Sequence, residues 1–231
     1  MARSTTTTTT GTSESPNPQH RSAGALFIAF EGIEGSGKST QIQLVADALK
    51  RAGVEPVVTR EPGGTPAGEA IRSIVLDRDL KLDAVAELML MLAARSAFVR
   101  QVVRPALDAG RIVLADRYEL STFAYQGGGR RLPIDVVRAA NALATGNLRP
   151  DLSILLDVEV EDGQARGRRE ASDRIEGEDL AFHRRVAAAY RKLADSEPDV
   201  ARVDGRGEIQ GVYDAVWKAL STRFPETFPA A

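Results

Sequence analysis

Five short runs along this chain read as strands, and stretches with helical spacing separate them. Leu26 to Phe30 is continuously apolar, which predicts a strand covered on both faces. Val57 to Thr59, Ile112 to Ala115, Ser153 to Val158 and Val200 to Val203 supply four more. Between them the apolar positions recur at helical intervals. Ile42, Val45, Ala46 and Leu49 share one face of a helix over Ser39 to Ala52, and Gly53 follows as a stop signal. Pro66 to Leu76 reads as helix, as does a long stretch from Asp83 to about Ala109 with a kink expected near Pro105. The last helix runs from Ile209 to about Phe224.

Strands alternating with helices imply a parallel sheet with right-handed crossovers. The expected fold is therefore α/β: a five-stranded parallel sheet with helices on both faces. Ligands of such sheets bind at the carboxyl ends of the strands. Residues 1–24 break this pattern. They include six consecutive threonines and no apolar run, so a disordered low-complexity tail is expected there. Residues 25–226 form the expected single domain.

Composition narrows the chemistry. With 30 basic residues against 32 acidic, the chain lacks the basic excess of a nucleic-acid binder. It has no run of about 20 apolar residues, so no membrane span is expected. There is no cysteine, which removes disulfides, thiolate nucleophiles and Fe–S clusters and suits a cytoplasmic protein. Two histidines, His20 and His183, are too few for a histidine-rich metal site. The chemistry falls to Lys, Arg, carboxylates, hydroxyls and backbone amides.

The first strand runs into Gly32-Ile33-Glu34-Gly35-Ser36-Gly37-Lys38-Ser39, the G-x-x-x-x-G-K-[ST] phosphate loop of a P-loop NTPase. Its glycines let successive amides point at phosphate oxygens, and the helix that follows adds its positive end. Lys38 is placed for the β- and γ-phosphates of ATP and Ser39 for Mg²⁺, with Thr40 next on the helix. Asp116 ends the third strand, where a carboxylate holds the metal directly or through water. A helix cap before Leu120 is the alternative.

Further motifs are more specific. Thr59-Arg60-Glu61-Pro62-Gly63-Gly64-Thr65 closes the second strand. Asp116-Arg117-Tyr118 closes the third and leads to Tyr125-Gln126-Gly127-Gly128-Gly129-Arg130. Arg166, Arg168, Arg169, Asp173, Arg174, Ile175 and Glu176 follow the fourth. Over about residues 25–224, this set resembles the bacterial thymidylate kinases.

The resemblance implies transfer of the γ-phosphoryl group of ATP to dTMP, with Mg²⁺, in a homodimer whose long helices form the interface. By motif, Glu34 would bond the sugar 3′-hydroxyl, and Arg60 and Arg117 would hold the dTMP phosphate. Ser121 and Thr122 would lie near the thymine edge, and Arg95 would reach a thymine carbonyl. Tyr125 would pack at C2′, with Gln126 a further substrate contact. Position 35 is glycine where the eukaryotic branch carries arginine. Arg166, Arg168, Arg169 and Arg174 would supply that charge, a solvated helix face being the alternative. Met91 stands where the family usually stacks a phenylalanine on thymine. Another nucleoside monophosphate kinase activity, on dUMP, CMP or a broad set, and a non-catalytic nucleotide sensor remain as alternatives.

Overall fold

The computed structural model describes residues 24–167 and 173–229. The Thr-rich segment expected to be disordered lies outside these residues up to position 23, as do Arg168 and Arg169. In chain order the elements are β1 (Leu26–Glu31), α1 (Lys38–Arg51), β2 (Val57–Arg60), α2 (Pro66–Leu76), α3 (Ala84–Phe98), α4 (Arg104–Asp108) and β3 (Ile112–Asp116). They continue as α5 (Glu119–Thr122), α6 (Ile134–Thr145), β4 (Leu152–Asp157), α7 (Val160–Gly167), α8 (Leu180–Ser196), β5 (Val200–Asp204) and α9 (Ile209–Arg223). None of the described helices is long and apolar enough to cross a membrane.

The five strands form one parallel sheet in the order β2-β3-β1-β4-β5. Alternation of side chains explains the continuous apolar run of β1. Ile28 and Phe30 enter a core with Ile42, Val45 and Leu49 of α1 and Val212, Val216 and Leu220 of α9. Phe27 and Ala29 point the other way, into a core with Phe98, Val99 and Val103. A third cluster joins Leu155 of β4 to Phe182, Val186 and Tyr190 of α8.

The long helix expected from Asp83 runs on in one direction but changes its winding just before Pro105, where the disturbance was expected. α3 widens into a π-helical stretch at Val99–Val103 before α4 begins. Pro105 follows directly in α4, and the missing N–H of the proline removes one bond that a regular helix would make back to Gln101. Helix starts follow local chemistry. The side chains of Thr65, Asp83 and Asp179 each accept a bond from a backbone amide of the helix they open. The register sets Asp116 level with Phe30 on one side and Arg60 on the other, so these strand ends share one rim.

Candidate active site

The phosphate loop bridges β1 and α1. Gly37 takes a left-handed φ of 92° to turn the chain into the helix. Gly35, also left-handed, touches α7: a Cβ there would run into the carbonyl of Gly163. Gly163 is equally constrained, since its own Cβ would meet the carbonyl of Glu34. Loop and α7 therefore touch backbone to backbone.

Lys38 folds over the loop. Its Nζ donates to the carbonyls of Ile33 at 2.9 Å and Gly32 at 3.3 Å, and to Ser36 Oγ at 3.4 Å. Burial, with the Arg117 cation nearby, lowers its pKa to about 8. Ser39 Oγ donates to Asp116 Oδ2 at 2.9 Å, which brings the two candidate metal ligands together. Asp116 does not cap the next helix: Tyr118 precedes α5 without a side-chain cap bond.

The loop forms one wall of a cleft of about 1180 Å³. Glu34 through Thr40 line it, with Arg60, Met91, Asp116, Arg117, Ser121, Tyr125, Gln126 and Arg166. Arg117 is held in the left-handed region at φ 72°, a strained conformation for a residue with a side chain. Its Nη1 donates to the Gly32 carbonyl at 2.8 Å, Ser121 Oγ at 3.1 Å and the Tyr190 hydroxyl at 3.2 Å. The guanidinium also lies over the Tyr125 ring, 5.2 Å from its centre. Arg60, at the end of β2, is half exposed and bound to both carboxylate oxygens of Glu69.

Other expected residues stand elsewhere. Gly32 and Ile33 lie behind the loop surface and serve as carbonyl acceptors for Lys38. Arg95 was expected at the base, yet it is 1% exposed and does not line the cleft. It donates to Glu61 Oε2 at 2.7 Å, Thr122 Oγ1 at 2.8 Å, Asn141 Oδ1 at 2.9 Å and the Tyr118 carbonyl at 2.9 Å. Arg95 is thus a buried tie beneath the cleft floor, and Thr122 is part of it. Arg174 is also turned aside, with Nε on the Val75 carbonyl at 2.9 Å and Nη2 on Glu87 at 2.8 Å. Only Arg166 of the described arginines in this segment faces the cleft, and its Nη1 donates to the Gly205 carbonyl at 3.0 Å.

Sequence reasoning missed several contributors. Glu31 accepts from the Tyr118 amide, Ser121 Oγ and the Tyr190 hydroxyl, and so positions the chain around Arg117. Its signal was a carboxylate directly continuing an apolar strand. Glu87 receives Gln126 Nε2 at 2.8 Å together with Arg130 and Arg174. These donors hold its carboxyl below the usual range despite burial. Three buried acceptors have no donor among the described residues: Gln41 Oε1, Glu61 Oε1 and Gln126 Oε1. All three residues line the cleft. Native structures leave few such groups unpaired.

A phosphate loop after β1 of a parallel sheet, with Arg60, Arg117 and Arg166 lining the same cleft, places the chain among the P-loop nucleotide-binding proteins. Comparison with known proteins sharpens the class. The family model for thymidylate kinase matches residues 30–216. A thymidylate kinase of Thermomicrobium roseum is 50% identical over 198 residues, covering 84% of this chain and 94% of the relative. One from Trichormus variabilis is 44% identical over 208 residues, covering 88% and 99% respectively. The crystal structure of thymidylate kinase from Ehrlichia chaffeensis superposes with a TM-score of 0.71 at 31% identity, covering 85% of this chain and 99% of that one. The chain belongs to the thymidylate kinase family.

Proposed function

We propose that this enzyme phosphorylates dTMP to dTDP with ATP. The observation that carries the reading is the shared cleft. Its phosphate loop presents Lys38 and backbone amides, and Arg117, bonded to the Gly32 carbonyl of that loop, and Arg60 line the same cleft. Phosphoryl transfer of this kind needs positioning and charge neutralisation more than covalent chemistry. Lys38 and the loop amides hold the donor phosphates. Arg117, fixed by Ser121 and Tyr190, and Arg60, released from Glu69, hold the acceptor phosphate in line. That phosphate is already an anion, so no strong base is needed. Met91, Tyr125 and Gln126 form the acceptor nucleoside's walls, with Glu34 at the sugar.

The site suits Mg²⁺. Ser39 Oγ and Asp116 Oδ2 sit together at the end of the loop. Among the described residues no cluster of three or more His or carboxylate ligands forms elsewhere. One hydroxyl and one carboxylate, completed by substrate phosphates and water, is the usual protein share of a Mg²⁺ site. The metal would neutralise charge on the phosphates when bound.

We infer a homodimer as well. α3 leaves Val85 and Met89 more than half exposed, and on α6, which packs against it, Leu143 is 83% exposed. The working domain is residues 25–226, and the cysteine-free chain suits the cytoplasm.

The test is ADP release with ATP and each of dTMP, dUMP and dCMP. Turnover is expected with dTMP, weaker with dUMP because one methyl in an apolar pocket is worth about 10–200-fold. Equal turnover of all three, or none, overturns the reading.

A further inference from the structure

The donor end of the cleft holds a side chain that no motif in the chain flagged. Gln41 lies in the first turn of α1, three positions beyond Lys38. It is 3% exposed, yet it lines the cleft beside Gly205, Gly207, Ile209 and Val212. Its Nε2 donates to the carbonyl of Ile209, the first residue of α9, at 3.1 Å. A carbonyl only accepts, so this bond decides which end of the amide faces α9. Oε1 is thereby turned away, and it has no donor.

The direction of the donor nucleotide follows from the loop. Its phosphates occupy the cradle from Gly35 to Thr40, so its nucleoside extends toward the β5–α9 connection. There Arg166 spans the cleft to the Gly205 carbonyl. The base and the unpaired oxygen of Gln41 therefore share one end of the cleft.

We propose that Gln41 is a specificity-determining residue for the phosphoryl donor. Its Oε1 accepts a hydrogen bond from the exocyclic amino group of the base, which selects a 6-aminopurine triphosphate over a 6-oxopurine one. Guanine presents an acceptor oxygen at the same edge, so two acceptors would face each other with no proton between them. The tie from Nε2 to Ile209 keeps the amide from rotating to suit the wrong base. This inference rests on the kinase reading above.

Removing the group from the ligand tests it without disturbing the fold. Binding of ATP and of purine riboside 5′-triphosphate, which lacks only the amino group, is measured by titration calorimetry. Wild-type protein is expected to prefer ATP about tenfold, the scale of one buried hydrogen bond. Gln41→Met, which lacks a comparable acceptor, should bring the ratio within about twofold. Gln41→Glu, which keeps acceptor oxygens, should retain the preference even if both affinities fall. A wild-type protein that binds the two equally overturns the assignment, as does an unchanged ratio in Gln41→Met. A protein that binds ATP with the expected preference but fails to phosphorylate dTMP overturns the kinase reading and leaves Gln41 as the base reader.

Discussion

Lys38 illustrates how burial sets a working range. A free-site pKa near 8 means that the ammonium is charged below that pH and neutral above it. Donor phosphates need the charged form, so kcat/KM for ATP should fall as pH rises through about 8. That parameter reports the free enzyme, whereas kcat reports the complex. Bound phosphates hold the proton on Lys38, so kcat should stay level to higher pH. Paired pH profiles check both halves. Lys38→Ala should lower turnover on the order of 10²–10³-fold, with an unchanged far-ultraviolet dichroism spectrum. Arg95 gives a stability prediction. Breaking a buried ion pair by removing one partner costs about 3–5 kcal/mol, so Arg95→Met should lower Tm clearly. Burial already pushes the Glu61 carboxyl up to about 7 against the pull of Arg95. A carboxyl whose pKa is higher in the folded state makes stability fall as pH rises from the unfolded value of about 4.5 toward the folded one. Without Arg95 that folded value climbs further, so the loss of Tm should be larger at pH 8 than at pH 5. The role of Arg95 was illegible in sequence for a simple reason. Its partners Glu61, Thr122 and Asn141 lie 34, 27 and 46 positions away, and only the fold brings them together. The phosphate loop was legible because its chemistry is contained in eight consecutive residues.

At the scale of elements, strands were legible to within a residue or two: burial on both faces writes the apolar runs of β1 and β3, and the edge strands β2 and β5 keep shorter valine-rich ones. The π-helical stretches at Val99–Val103 and Phe123–Gly129 were not, since a one-residue widening leaves the hydrophobic period almost intact. The arginine segment that begins in α7 shows the limit of reading charge from spacing alone. Arg166 and Arg174 belong to one run in sequence but face different surroundings. Arg166→Ala should weaken turnover, because this side chain reaches the donor end of the cleft. Arg174→Ala should instead lower Tm with kcat held within a few-fold, because its guanidinium ties Glu87 to the end of α2. Thermal melts and steady-state kinetics on the two variants separate these outcomes. A large loss of kcat in Arg174→Ala would show that the tie opens during turnover.

For the whole molecule, the exposed face of α3 is the feature a monomer would have least use for. Val85 and Met89 stand one helical turn apart and both face outward. A glutamate at position 89 would place charge in the middle of a two-fold contact, once on each side. Sedimentation should give a dimer for the wild-type protein and a monomer for Met89→Glu. Identical sedimentation of the two would move the interface elsewhere. The contact between Gly35 and Gly163 bears on the ancestry of such enzymes. Two ways of charging the site exist in principle, an arginine in the loop or arginines carried by α7 and the residues after it. Here the first is closed, because any side chain at position 35 strikes the α7 backbone. Moving α7 away to admit one would also pull Arg166 from its anchor at Gly205. An arginine at position 35 would therefore need a compensating change in α7 as well, not one substitution alone.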